Sequence, residues 1–145
     1  MTISAPFTVN ETAAALASRP APGAAGGGVN VLLRIEGVAA LATALILYGT
    51  AGFSWPAFAL FFLAPDLAMV AYLAGPRLGA ISYNLAHTYT LALALAAVGF
   101  FGGLPVLTAS GLILIGHIGF DRALGFGLKY ASGFGDTHLH RGGRC

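Results

Sequence analysis

Apolar residues fall in long, nearly unbroken runs along this chain, and polar residues gather in the gaps between them. From Val29 onward four runs stand out, over residues 31–51, 55–74, 78–101 and 106–124. Short joints rich in helix breakers separate them: Gly52-Phe53-Ser54, Gly75-Pro76-Arg77 and Gly102-Gly103-Leu104-Pro105. A run of about 20 apolar residues is what a helix needs to cross a hydrocarbon core about 30 Å thick. No run carries a clear polar stripe, as expected of helices that face lipid on one side and other helices on the other. Strands of a membrane barrel would alternate polar and apolar residues, and these do not. The pattern therefore predicts an all-α polytopic membrane protein, a four-helix transmembrane bundle over residues 29–128. Pro65 interrupts the second run and predicts a kink or break there. Trp55 reads as an interfacial anchor.

The flanks differ from the core. Residues 1–28 include Arg19-Pro20-Ala21-Pro22-Gly23-Ala24-Ala25-Gly26-Gly27-Gly28 and predict a flexible N-terminal tail, without the basic-then-apolar order of a signal peptide. Residues 129–145 are glycine-rich and polar and read as a C-terminal cytoplasmic tail.

Composition sharpens this picture. Of 145 residues, 57% are hydrophobic and 8% charged, against about 25% charged in a soluble domain. That excludes an ordinary soluble fold and, for most of the chain, intrinsic disorder. The net charge is +2, but the basic residues form no run, which argues against nucleic acid as a partner. The single cysteine, Cys145, makes neither an internal disulfide nor a multi-Cys zinc site. All seven Lys and Arg residues fall on one side of a four-span topology: Arg19, Arg34, Arg77, Arg122, Lys129, Arg141 and Arg144. By the positive-inside rule, both termini are expected in the cytoplasm.

Ionisable residues inside a membrane span each cost roughly 2.5–3.5 kcal/mol on insertion scales, so each one calls for an account. Here they are Glu36, Asp66, His87 and His117, with Asp121 and Arg122 at the end of the fourth run. At a rise of about 1.5 Å per residue, Asp66 lies up to about 15 Å from the cytoplasmic edge, His87 about 13 Å and His117 about 8 Å. The external half has none. If the helices bundle, these groups share one cavity open to the cytoplasm. Tyr83 and Asn84 lie on the same helix face as His87, and His117 and Asp121 are one turn apart. Asp66, His87, His117 and Asp121 are thus candidate metal ligands, with His138 as a further one. Carboxylate and imidazole donors suit zinc, manganese or iron. Tyr83, Asn84, Glu36, Arg77, Arg122 and Asp136 are candidate supporting or substrate-contacting residues. Each residue also has a structural reading: Asp66 as a helix cap, the histidines as hydrogen-bonded core groups, Glu36 paired with Arg34, and the basic residues as topology determinants.

Several segments resemble one family. They are Ala64-Pro65-Asp66-Leu67, Gly75-Pro76-Arg77-Leu78-Gly79-Ala80, Tyr83-Asn84-Leu85-Ala86-His87, the run from Gly116 to Tyr130, and Phe134-Gly135-Asp136-Thr137-His138-Leu139. Together they are similar to a family of small bacterial integral membrane proteins catalogued as domain of unknown function 4260, over about residues 31–141. The resemblance implies signature roles for Asp66, Asn84, His87, His117, Asp121, Arg122, Asp136 and His138, and a bacterial inner-membrane location. It implies no activity. His140 stands where the family pattern has glycine. The resemblance also implies that the segment through His138 folds back over the cavity mouth.

Three functions fit these residues. The first is a metal-dependent, membrane-embedded hydrolase acting on a lipid-like substrate, with Arg77 or Arg122 holding a phosphate head group. The second is a haem- or quinone-binding module using His87 and His117. The third is a small transporter, proton relay or accessory subunit, for which the many small residues favour self-association or a larger membrane complex. Membrane lipids are partners in every case.

Overall fold

The structure, a computed structural model, describes residues 24–140. The predicted tail therefore lies mostly outside the described residues, as do Arg19, Arg141, Arg144 and Cys145. Helix α1 spans Gly27–Thr50, so the last two glycines of the predicted tail form its first turn. Gly52, with φ of 72°, turns the chain. Helix α2, Trp55–Phe61, begins at Ser54, whose hydroxyl accepts from the Ala57 N–H, and it has a proline in its first turn. A 3₁₀ segment, Ala64–Ala74, follows. Pro65 has no N–H for an α-helical bond, and the Asp66 N–H reaches back only to the Leu63 carbonyl. The predicted break at Pro65 thus takes the form of a change in helix type.

Gly75, at φ 115°, reverses the chain into α3, Pro76–Ala86. The third predicted span is not continuous. It stops at His87, passes through an extended Thr88, and restarts as α4, Tyr89–Phe101. Helix α5, Pro105–Leu124, ends in a left-handed glycine cap at Gly125. Four segments are long and apolar enough to cross a membrane: Gly27–Thr50, Trp55–Ala74, Pro76–Phe101 and Pro105–Leu124. The chain is a helical bundle of multi-pass membrane character. Its outer surface agrees, with Leu73 90% and Phe101 85% exposed, a burden of apolar surface that water would not tolerate.

Helix α5 is the hub. Its buried residues are Gly111, Leu112, Ile113, Gly116, His117, Ile118 and Gly119. Small residues let its neighbours approach to backbone contact, the usual device for helix packing in lipid. A Cβ on Gly119 would lie 2.7 Å from the Gly37 carbonyl of α1, and one on Gly111 would lie 2.3 Å from the Ala96 nitrogen of α4. The 3₁₀ segment packs on α3, with the Tyr72 ring seated over Gly79. At the other end, Tyr48, Phe53, Trp55 and Phe58 form an aromatic cluster.

Residues 125–140 fold back onto the bundle. An isolated antiparallel bridge pairs Lys129 with Thr137. The Ala25 N–H donates to the His138 carbonyl, and Asn30 Nδ2 donates to the Leu139 carbonyl at 2.8 Å. Arg34 donates to the carbonyls of Ala123 and Leu124 at 2.9 and 3.1 Å. The start of α1, the end of α5 and the C-terminal segment therefore share one end of the molecule.

Candidate metal centre

Backbone irregularity sets the position of two side chains here. Non-helical backbone at membrane depth survives only where protein buries it or a cavity receives it. Asp66 sits where the second span tightens into the 3₁₀ segment, and His87 sits where the third span breaks. His117 and Asp121 come from the regular helix α5, one turn apart.

These four side chains meet. One donor atom from each of Asp66, His87, His117 and Asp121 lies within 4.8 Å of all the others, and no other group of His, Cys, Asp or Glu does so among the described residues. The two imidazole Nε2 atoms are 3.0 Å apart. His87 Nε2 lies 3.3 Å from Asp66 Oδ1 and 3.7 Å from Asp121 Oδ2. His117 Nε2 lies 3.6 Å from Asp66 Oδ1 and 3.9 Å from Asp121 Oδ2. The imidazoles are almost wholly buried, at 3% and 1% side-chain exposure, whereas Asp66 is 32% exposed and opens the group on one side.

Hydrogen bonds fix the tautomer of His87. The Tyr83 carbonyl accepts both the His87 backbone N–H and the ring Nδ1, each at 2.9 Å. A carbonyl can only accept, so Nδ1 carries the proton and Nε2 presents its lone pair to the cluster. This is the arrangement typical of a metal-ligating histidine. Tyr83 supports the group twice more: its hydroxyl donates to Asp121 Oδ2 at 2.9 Å, and its ring stacks on His87 at 3.7 Å between centroids. His117 is supported differently. Its ring packs edge-on against Phe62, and Nδ1 has no hydrogen-bond partner among the described residues.

Tyr83→Phe removes only the hydroxyl that holds Asp121. Loss of such an outer partner lowers metal affinity by about 10–100-fold. Competition against a chelator of known affinity is expected to show at least the lower figure, with the helix content unchanged.

The other predicted residues lie elsewhere. His138 is outside the four-residue group: its Nδ1 accepts from the Leu128 N–H at 2.9 Å, and the Arg122 guanidinium lies against its Nε2 edge. Burial first, and then Arg122, push its pKa below the ordinary histidine value. Asn84 exchanges two hydrogen bonds with the Lys129 backbone, at 2.9 and 2.7 Å, and so anchors the C-terminal segment rather than touching the cluster. Asp136 closes a turn of that segment, accepting from Ser132 Oγ at 2.7 Å. Glu36 is exposed and forms no ion pair with Arg34. It borders a small cleft with Tyr89 and Arg122. Arg77 is exposed in the first turn of α3.

Lys129 escaped the sequence reading as more than a topology determinant. Its ammonium lies 3.3 Å from the Phe134 ring centroid and 4.6 Å from that of Tyr83. Burial lowers its pKa, while the charges of Asp121 and Asp66 oppose that shift. Its place inside the Gly116–Tyr130 resemblance was the one signal that pointed to it.

The haem reading meets a geometric obstacle. Two axial imidazoles must stand on opposite faces of a porphyrin, yet here the two Nε2 atoms lie 3.0 Å apart and both Asp66 Oδ1 and Asp121 Oδ2 stand within 3.9 Å of each of them. No macrocycle fits between them.

A family model described as Domain of unknown function (DUF4260) matches residues 30–141. No curated protein and no solved structure matches the chain.

Proposed function

The chain belongs to the family described as domain of unknown function 4260, and from that premise we propose that it holds one divalent metal ion on Asp66, His87, His117 and Asp121 for hydrolysis of an amphiphilic substrate at the membrane. The observation that carries this reading is the inward lone pair of His87 in a nest of donor atoms. Four ligands at about 2.0–2.1 Å from a tetrahedral ion stand about 3.3–3.4 Å apart, and the five ligand separations above run from 3.0 to 3.9 Å. Two carboxylates match the charge of a dication, which removes the penalty of leaving either charge unpaired at membrane depth. The nitrogen and oxygen donor set suits zinc, manganese or iron. Such an ion supplies Lewis acidity and an activated water, and the exposed flank of Asp66 is the side from which substrate would approach. The charge distribution supports a bacterial inner-membrane setting with this end in the cytoplasm.

A proton-relay reading has one observation in its favour, the close Asp66–His87–His117 chain. It lacks a continuation: residues 111–116 of α5 and 91–101 of α4 carry no polar side chain toward the far end.

Detergent-purified protein, expressed with added zinc, manganese and iron, is expected to carry about one ion per chain, as a single four-ligand site requires. Elemental analysis checks this, and metal-free protein from every medium would overturn the proposal.

A further inference from the structure

Beside the metal cluster lies a second cavity of about 360 Å³, between the C-terminal segment and the ends of α1, α3 and α5. That volume lies within the range of small-molecule sites. Arg34 and Lys129 both line it, and none of its lining residues is an aspartate or glutamate. At the end of the molecule that gathers the basic residues, two cationic residues lining one cavity without a carboxylate form an anion-attracting enclosure.

The donors are available. A guanidinium has five N–H donors. Arg34 commits Nε and Nη2 to the Ala123 and Leu124 carbonyls, a contact that holds the side chain in place while Nη1 remains for a ligand. Lys129 donates to the Phe134 carbonyl at 3.2 Å, which leaves two of its three N–H donors. Asn30 and Thr137 add neutral polar groups to the wall, and Leu124 and Phe126 an apolar side. Arg122, expected from the sequence to hold a phosphate, instead lies against His138, and Arg77 does not line this cavity.

Tyr83 joins the two places. It lines the cavity, its ring lies under the Lys129 ammonium, and its hydroxyl holds Asp121. A group bound by Arg34 and Lys129 would therefore sit next to the metal cluster with one residue between.

We propose that this cavity binds the phosphate of the substrate, making the substrate class a phosphate-bearing amphiphile, with Arg34 and Lys129 as its binding residues. This rests on the hydrolase reading above for the word substrate, but the anion site itself does not. The test is direct binding to the full chain in detergent, with inorganic phosphate as one probe and phosphatidic acid in mixed micelles as the other. Metal content is measured on the same samples. Wild type is expected to bind at least one probe, more weakly as salt is raised. Lys129→Gln is expected to weaken binding by about tenfold or more at unchanged metal content. Arg34→Gln also loosens the end of α5, so Arg34→Lys serves as its partner variant, keeping the charge and restoring part of the binding. Binding of phosphatidic acid alone identifies a lipid head group, and binding of both probes a general phosphate site. Failure of both probes to bind, or unchanged binding in Lys129→Gln, overturns the proposal. Phosphate binding in a protein that never takes up metal would leave the anion site standing and remove the hydrolase reading.

Discussion

His117→Ala is expected to empty the proposed metal site. The imidazole is 1% exposed, and its Nε2 lies 3.0 Å from that of His87 and 3.6 Å from Asp66. Alanine removes one of the four donors and leaves a void beside Phe62. Loss of an outer partner costs about 10–100-fold in metal affinity, and loss of a ligand exceeds that range. Affinity is therefore expected to fall by more than about 100-fold, measured by chelator competition. His138→Ala is the control: His138 stands outside the cluster, so metal content should stay at the wild-type level. Retention of metal by His117→Ala at near wild-type affinity would sink the assignment.

Gly111→Val is expected to be strongly destabilising. A Cβ there lies 2.3 Å from the Ala96 nitrogen and 2.7 Å from its Cα. Those are backbone atoms of α4 and cannot swing aside, so the helices must separate. Overpacking of this kind costs about 1–3 kcal/mol and occasionally more, and a backbone clash belongs at the upper end, about 3 kcal/mol. Gly116→Ala gives the contrast. Its nearest neighbour would be the tip of the Phe58 ring at 3.4 Å, and a flexible ring edge yields. Thermal unfolding in detergent should show a large drop for the first variant and a small one for the second. Equal midpoints would mean that α4 and α5 are not packed as described.

Most of the architecture was legible because lipid imposes a simple rule on sequence. A span needs length and apolarity, and the four runs supplied both, with ends within a few residues of those observed. The convergence of Asp66, His87, His117 and Asp121 was legible for a related reason. Polar groups at membrane depth are rare, so comparing their depths along the spans was enough to suggest a common level. The break at His87 was not legible. No glycine or proline marks Ala86-His87-Thr88-Tyr89; there the Tyr83 carbonyl one turn back takes the His87 ring as well as its backbone N–H, a local contact that the apolar pattern does not announce. Thr88 as a cap for the restarted helix was the only local hint. The fold-back of residues 125–140 came from resemblance rather than from pattern, since its hydrogen bonds to Asn84, Asn30 and Ala25 join residues far apart in sequence.

The Tyr83–Asp121 hydrogen bond also bears on biogenesis. A nascent chain that has delivered its first three spans to the bilayer owns Asp66 and His87 but neither His117 nor Asp121. During that interval Asp66 and His87 have only each other at membrane depth, and the Tyr83 hydroxyl lacks the Asp121 carboxylate it holds. The span Pro105–Leu124 brings both missing donors within one turn, and the segment after it closes over that end. The cluster can therefore form only after the span Pro105–Leu124 has been inserted, so metal capture would follow insertion of that span.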